Sequence, residues 1–103
     1  MGQILERSSY PLNQWINIAC WEKVTRLFLR TTEILWQEAH TAHKNEQKAE
    51  EETLKILNQV YRDYIENDLA IPVIDGRKTE KEKFAGALHT YTLELLMTDD
   101  KVL

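Results

Sequence analysis

The sequence is poor in the residues that cross-link a chain or bend it sharply. It has one cysteine, two prolines and three glycines in 103 residues. A single cysteine excludes an intramolecular disulfide framework, so we expect a reducing, cytoplasmic setting. Three scattered glycines exclude a glycine-rich loop of the kind that cradles phosphate groups.

Two further absences concern charge and long apolar runs. The formal net charge is −4, which argues against a general nucleic-acid-binding surface, because such a surface is basic. No apolar run approaches the roughly 20 residues that cross a bilayer, and the first ten residues lack the apolar centre of a signal peptide. We therefore expect no membrane partner. The 43% of apolar residues is enough for the core of one small domain.

The most informative stretch is residues 13–43, which hold all three tryptophans, the cysteine and two of the three histidines. Aromatic and β-branched residues at 15–21 predict a strand. The polar residues 22–26 predict a turn, and residues 27–30 predict a returning strand, which together make a β-hairpin. Residues 31–33 resemble the capping signal at the start of a helix.

Residues 34–43 alternate in polarity and predict another strand, with Trp36, Glu38 and His40 on one face. A tryptophan beside a carboxylate and an imidazole suits a small ligand that carries an amine. The alternative is a half-exposed strand whose tryptophan belongs to the core and whose polar groups are solvated. The pattern by itself favours this alternative.

Glu38, His40 and His43 also form the pattern E-x-H-x-x-H, which is typical of metal sites. On a strand, however, the two histidines have opposite parity and lie on opposite faces, so they do not share one ion without a bulge. The chain has no cysteine pair to complete a site, and we predict no metal site. Cys20 is predicted to be a small buried apolar residue rather than a thiol nucleophile.

The clearest element of the second half is a helix predicted at residues 45–67. Asn45 can cap it, and the acidic residues of its first turns complement the positive end of the helix dipole. Apolar residues recur at spacings of three and four along one face. They are Leu54, Leu57, Tyr61, Tyr64 and Ile65.

Shorter extended segments follow the helix. Residues 71–74 predict an extended run that closes in a turn at Asp75 and Gly76. Residues 77–83 predict a charged loop, and residues 90–97 predict a further strand. The predicted fold class is α+β, with antiparallel strands and one long helix.

Several blocks of residues in this order and spacing point to a known family. The blocks are NQWIN, WE, FLRT, LWQEAHTAH, EEETLKIL, AIPVIDGRKTEKEKFAGA and TYTLE. Over residues 10–103 they resemble the catalytic domain of prolyl-tRNA synthetase, a class II aminoacyl-tRNA synthetase, whereas residues 1–9 match poorly. Residues 13–30 resemble its motif 2, the hairpin that binds ATP. The resemblance implies part of a class II antiparallel sheet, packed with the helix at 45–67.

The resemblance also implies a chemistry. Such enzymes activate proline with ATP as prolyl-adenylate and pass it to the proline tRNA, and arginines and Mg²⁺ neutralise charge during the transfer. The implied ATP contacts are Glu22, on the adenine side, and Arg30, at the phosphates. Trp36, Glu38 and His40 are implied to line the proline pocket, with Glu38 at the imino nitrogen. Residues 78–86 resemble a loop that covers the site.

Two departures from the family pattern are also informative. Cys20 occupies the position of the motif 2 arginine, which meets the α-phosphate and the proline carboxylate. A neutral thiol makes no bidentate, charge-assisted contact, and losing such a group typically costs on the order of 100-fold in rate. Ala39 stands where the family usually has glycine, and we expect its methyl group to crowd the ligand.

Motif 1, motif 3 and the anticodon-binding domain have no counterpart in these residues. We therefore expect the chain alone to be inactive or nearly so. The rival hypothesis is a non-catalytic, truncated paralogue that binds a synthetase, a tRNA or a second copy of itself. Open sheet edges favour self-association of this kind.

Overall fold

The computed structural model describes residues 9–103, so most of the poorly matched segment 1–9 lies outside the described residues. The chain forms two compact units, one ending at Ala49 and the other spanning Glu50–Leu103. The described residues form two two-stranded antiparallel sheets and one helical region. The predicted α+β class is confirmed.

The first unit is a long hairpin. Strand β1 (Ser9–Ala19) pairs with strand β2 (Glu33–His43), in register from Ser9↔His43 to Ala19↔Glu33. Just beyond the strands, the Cys20 N–H donates to the Thr32 carbonyl at 2.7 Å and extends the ladder. Hydrogen-bonded pairs alternate along an antiparallel ladder, so the even-numbered residues of β1 make the bonds to β2. Pro11 is odd-numbered, and its missing N–H removes no bond from the ladder.

The returning strand predicted at residues 27–30 is wrong, because these residues lie in the connection 20–32 between the two strands. Arg26 and Arg30 exchange backbone hydrogen bonds of 2.7 and 2.9 Å, which closes a tight turn. Phe28, in that turn, has a φ of 63°, which no strand residue adopts. The Leu-Phe-Leu run has high β propensity, but among the described residues no strand pairs with it, and the local hydrogen bonds of the turn determine its conformation.

The actual return strand starts later than predicted. Residues 31–33 do not start a helical turn, since Glu33 is the first residue of β2. The strand predicted at 34–43 is confirmed, but its partner is β1 rather than a strand at 27–30. The hairpin connection is therefore 13 residues long, residues 20–32.

The helical region begins as predicted, because Asn45 Oδ1 accepts the Lys48 N–H at 2.9 Å. Helix α1 (Glu46–Lys55) continues as two π-helical segments, Ile56–Arg62 and Tyr64–Asp68. The extent agrees with the predicted 45–67. The π-helical form of these segments was not predicted, because apolar residues at spacings of three and four indicate an α-helix.

The helical region ends in a left-handed turn. Ala70 has a φ of 55°, and the Ile71 N–H donates to the Ile65 carbonyl at 3.0 Å. This bond satisfies one of the carbonyl groups that a helix end leaves without a partner. Pro72 follows, which is typical after a helix C-terminus.

The second sheet pairs strand β3 (Ile74–Arg77) with strand β4 (Tyr91–Glu94). The turn predicted at Asp75 and Gly76 is wrong, because both residues lie inside β3 and pairing with β4 keeps them extended. The strand predicted at 90–97 is correct in position but shorter. The side chain of Arg62 ties the helical region to β3 through a 2.7 Å bond to Asp75.

Little of the chain is buried. Among the described residues only Leu57 and Val73 are buried hydrophobics, at 9% and 8% exposure, whereas Trp21 is fully exposed. No helix in this part of the chain is long and apolar enough to cross a membrane. A core of this size supplies little of the hydrophobic free energy that stabilises a domain.

Candidate ligand-binding face of the first hairpin

One face of the hairpin gathers the residues that the sequence singled out. Trp36, Glu38 and His40 share parity on β2 and so lie on the same face. Glu38 Oε1 lies 3.2 Å from His40 Nε2, and Glu38 Oε2 accepts a 2.8 Å hydrogen bond from Gln14 Nε2. The predicted one-face arrangement is confirmed, with Glu38 held between two nitrogen groups.

Gln14 is the contact that sequence reasoning missed. It lies on β1 directly opposite Glu38, and Ile16 lies opposite Trp36. Alternation within each strand predicts which residues share a face, but the register between strands depends on where the turn lies. The predicted return strand, residues 27–30, does not contain Glu38. No pattern in the sequence therefore pairs Gln14 with Glu38.

The face is open rather than enclosed. The exposed fractions of the Glu38 and His40 side chains are 39% and 64%. A depression of about 460 Å³ borders Trp36 and Ile16, but neither Glu38 nor His40 lines it. A polar contact between side chains this exposed contributes little stability, on the order of 1 kcal/mol or less. The Glu38 carboxylate therefore remains available to an amine ligand at little energetic cost.

The two predicted nucleotide contacts lie together in the connection between the strands. Arg30 Nη1 is 3.7 Å from Glu22 Oε2, and the tight turn from Arg26 brings Arg30 back toward the strand ends. Glu22 is 26% exposed and Arg30 66% exposed. Much of the guanidinium thus stays accessible, and it has the fork of N–H donors that phosphate oxygens accept.

Position 20 lies on the same face of the hairpin as Glu38. Cys20 is half-buried, and its hydrogen bond to Thr32 continues the ladder, which gives it the parity of Gln14 and Ile16. Six residues of extended strand separate positions 14 and 20, or about 20 Å. The face therefore runs from a carboxylate at one end to position 20 and the Glu22–Arg30 pair at the other.

Two neighbouring residues lie on the opposite face. Ala39 pairs in register with Asn13, so its methyl group points away from Glu38 and His40. The expectation that this methyl crowds a ligand beside them is wrong for this face. His43 also lies there and bonds to Thr41 at 2.9 Å, which confirms that His40 and His43 diverge. Within residues 9–103, no group of three His, Cys, Asp or Glu side chains is placed to hold a metal ion.

The loop that resembles a site cover, residues 78–86, belongs to the second unit and has its own internal bonds. The Lys78 N–H donates to the Thr90 carbonyl at 2.8 Å, and the Thr79 hydroxyl donates to Glu82 at 3.0 Å. Lys83 lies 2.8 Å from Glu80. The hydrogen bond and charge of Lys83 lower the pKa of Glu80 below its ordinary value.

Comparison with known proteins finds no matching family model but many close relatives. A proline–tRNA ligase of Ruminiclostridium cellulolyticum is 65% identical over 91 residues, which is 88% of this chain. Those of Borreliella burgdorferi and Natranaerobius thermophilus are 63% and 60% identical over 92 residues, 89% of this chain. The chain spans only 19% of the length of each relative. The resemblance predicted from the sequence blocks is confirmed.

Proposed function

We propose that this chain, which by its sequence belongs to the prolyl-tRNA synthetases and spans about a fifth of its relatives' length, carries part of a proline adenylation site. The sheet face that holds Glu38, Trp36 and position 20 is the part we assign to the ligand. The hairpin and the helical region would then be a portion of a class II catalytic sheet. The observation that supports this most directly is that a carboxylate and the arginine-equivalent position share one face of the hairpin.

The amino-acid end of the ligand belongs at Glu38. In adenylation, a carboxylate oxygen of proline attacks the α-phosphorus of ATP, a new P–O bond forms and pyrophosphate leaves. The secondary ammonium of proline takes no part and needs an acceptor, which Glu38 provides. Gln14 and His40 hold the carboxylate in place, and the indole of Trp36 offers an apolar wall to the pyrrolidine ring.

The nucleotide end belongs at the connection 20–32. Arg30 would neutralise phosphate charge, and Glu22 would accept a hydrogen bond from the adenine amino group, once the ligand has displaced their mutual ion pair. Adenylation chemistry rests largely on such positioning and charge neutralisation. The donor set of the described residues does not fit a dedicated Mg²⁺ site.

Cys20 is the reason to expect a weak enzyme. An arginine at position 20 would reach along the face with two parallel N–H donors for the α-phosphate and the proline carboxylate. The thiol provides neither the charge nor the fork. The proposed site therefore holds the two ends of prolyl-adenylate better than it stabilises the transfer between them.

Ligand titration of the purified chain tests the assignment of Glu38. A non-hydrolysable analogue of prolyl-adenylate should change the fluorescence of the chain in a saturable manner, through the nearby Trp36. Glu38→Gln removes the charge that meets the ammonium and should weaken binding by about tenfold or more.

The matched control is Glu33→Gln, since Glu33 is a carboxylate of the same strand on the opposite face. It should leave the affinity unchanged. Equal affinity for the parent and Glu38→Gln, or equal losses in both variants, would show that this face does not hold the amino-acid end.

A second candidate function, a non-catalytic interaction module, is favoured by one observation. Large apolar side chains such as Trp21, Leu35 and Phe28 are at least 89% exposed, which is unusual for a chain that acts alone. Binding of the adenylate analogue would favour the synthetase reading. Absence of ligand binding together with self-association would favour the module.

A further inference from the structure

The loop 78–86 in the second unit has two ends that are held in different ways. Its first residue continues the ladder between β3 and β4. The last rung of that ladder pairs Arg77 with Tyr91, and the Lys78 N–H then donates to the Thr90 carbonyl at 2.8 Å. Both atoms of this bond belong to the backbone, so it does not depend on which side chains stand there. The first end of the loop is therefore fixed to the sheet.

The far end of the loop is held by a side chain. The Phe84 N–H donates to the hydroxyl oxygen of Thr90 at 2.9 Å. The Phe84 side chain is 74% exposed, so apolar packing adds little to this bond. A turn follows, in which the Phe84 carbonyl accepts the Ala87 N–H at 3.0 Å and Gly86 has a φ of 84°, as in a type II turn. Thr90 thus binds both ends of the loop, one through its backbone and one through its side chain.

Between these ends the loop has bonds of its own. The Thr79 carbonyl accepts the N–H groups of Glu82 and Lys83 at 3.0 and 2.9 Å. The Thr79 hydroxyl donates to Glu82 Oε2 at 3.0 Å, and Lys83 Nζ lies 2.8 Å from Glu80 Oε2. All of these contacts join residues of the loop to one another. The middle of the loop can therefore move as a unit without breaking them.

We propose that residues 78–86 form a strap that is hinged at Lys78 and latched at Phe84, with the Thr90 hydroxyl as the latch. Breaking the hydroxyl bond frees the far end of the strap, whereas the ladder bond at Lys78 and the internal bonds persist. The closed state is the one in the structure, and the open state lacks this one hydrogen bond. A bond of this kind shifts an equilibrium between two states by about fivefold. A ligand or partner that prefers one state can supply a shift of that size.

The strap lies within the second unit, Glu50–Leu103, and neither its hinge nor its latch depends on the proposed function. The two bonds of Thr90 can be separated by substitution. Thr90→Val removes the hydroxyl but keeps the carbonyl and the branched shape of the side chain. Thr90→Ser keeps the hydroxyl. The matched control is Thr92→Val, because Thr92 lies in β4 two residues further along, opposite Gly76.

The first test is amide hydrogen exchange of the purified chain, resolved by residue with NMR. Exchange at Phe84 should be about fivefold faster in Thr90→Val than in the parent, while exchange at Lys78 stays within about twofold. Thr90→Ser and Thr92→Val should both exchange like the parent at Phe84. In the parent itself, opening at the latch requires that Phe84 exchanges faster than Lys78, after correction for their intrinsic rates.

Three results would overturn the proposal. Equal exchange at Phe84 in the parent and Thr90→Val would show that the hydroxyl is not a latch. Equal acceleration at Lys78 and Phe84 would show that the end of the sheet opens as a whole, without a hinge. Slower exchange at Phe84 than at Lys78 in the parent contradicts the strap without any variant. Far-ultraviolet circular dichroism checks that the variants retain the secondary structure of the parent.

The second test is limited proteolysis with trypsin. The peptide bond between Lys83 and Phe84 contains the N–H group that the latch holds, so trypsin reaches this bond when the latch is open. Thr90→Val should raise the rate of cleavage after Lys83 by about fivefold, because cleavage follows the population of the open state. Cleavage after Arg77, next to the hinge, should not change. Mass spectrometry identifies each cut, and an equal increase at both positions, or at neither, is incompatible with a strap hinged at Lys78.

Discussion

At the scale of single residues, position 20 is the departure that bears most on the proposed adenylation site. Cys20 shares the face of Glu38 and lies two residues before Glu22, whose carboxylate pairs with Arg30. In the proposed function, Glu38, Glu22 and Arg30 serve the two ends of the ligand, and Cys20 stands where the resemblance implies an arginine between them.

A second residue-scale feature is the hydrogen bond between Tyr91 and Glu50 in the second unit. The Tyr91 hydroxyl donates to Glu50 Oε1 at 2.5 Å. That bond is the main cause, and burial the next, of a Tyr91 pKa above its ordinary 10.0. Because the pKa in the folded state exceeds the unfolded value, the bond's stabilisation is complete below about pH 10 and is lost as the pH rises through the folded pKa.

Glu50→Gln should consequently lower the pKa of Tyr91 toward 10.0. The measurement is the ultraviolet titration of tyrosinate, taken as a difference from Tyr91→Phe so that the other three tyrosines cancel. The control is Glu52→Gln, whose carboxylate pairs with Lys55 on the same helix and which should leave the titration unchanged. Identical curves for the parent and Glu50→Gln would contradict the bond.

Backbone strain at Ala70 gives a stability prediction. A φ of 55° costs a residue with a Cβ about 1–2 kcal/mol, and glycine avoids that cost. Ala70→Gly should raise the free energy of unfolding by up to about 1 kcal/mol, after the greater entropy of unfolded glycine is subtracted. Ala49→Gly, in the regular part of α1, should instead lower it by about 0.5–1 kcal/mol. Urea denaturation distinguishes the two signs, and a loss in both variants would contradict the strain.

At the scale of elements, the start of α1 depends on one side chain. Asn45 Oδ1 accepts the Lys48 N–H, one of the four N–H groups that a helix start leaves without a partner. Asn45→Ala should lower the free energy of unfolding by about 1 kcal/mol, whereas Asn45→Asp should retain the acceptor and favour the helix dipole.

Amide hydrogen exchange at Lys48 measures the effect locally, and it should accelerate in Asn45→Ala alone. Asn58→Ala is the control. The side-chain amide of Asn58 donates to the Leu54 carbonyl inside the helical region, so it does not cap the helix start. Unchanged exchange at Lys48 in Asn45→Ala would show that the cap does not protect the helix start.

The elements also show what can be predicted from a sequence like this one. The parity of Trp36, Glu38 and His40 and the cap at Asn45 follow from local chemistry, and both predictions are confirmed. The partner of β1 is not a local property. A strand-like run at 27–30 lies next to a potential turn, yet an 11-residue ladder with β2 forms instead.

For the same reason the proposed site can be predicted only in part. Alternation along one strand predicts that Glu38 and His40 share a face, whereas Gln14 joins them through a register that spans 24 residues of chain. Asp75 and Gly76 show the reverse case, because a turn sequence lies within a strand once β4 is available. The structure of such residues depends on long-range strand pairing, which the local sequence pattern does not predict.

At the scale of the whole molecule, the described residues expose many large apolar side chains and bury few. Leu57 and Val73 are the only buried hydrophobics among the described residues, and the relatives are about five times longer than the matched region. As a segment of a prolyl-tRNA synthetase, the chain is proposed to belong to a larger catalytic domain, and that domain is the setting in which we would measure activity.

The most direct measurement is proline-dependent ATP–pyrophosphate exchange by a chimera. The matching 91 residues of the Ruminiclostridium cellulolyticum relative are replaced by those of this chain, with Cys20 either kept or changed to arginine. We expect the Cys20 chimera to be nearly inactive and Cys20→Arg to raise exchange by about 100-fold or more. Cys20→Lys, which restores charge without the bidentate fork, should recover only part of this. Full exchange with Cys20 in place, or none with Cys20→Arg, would contradict the proposed site.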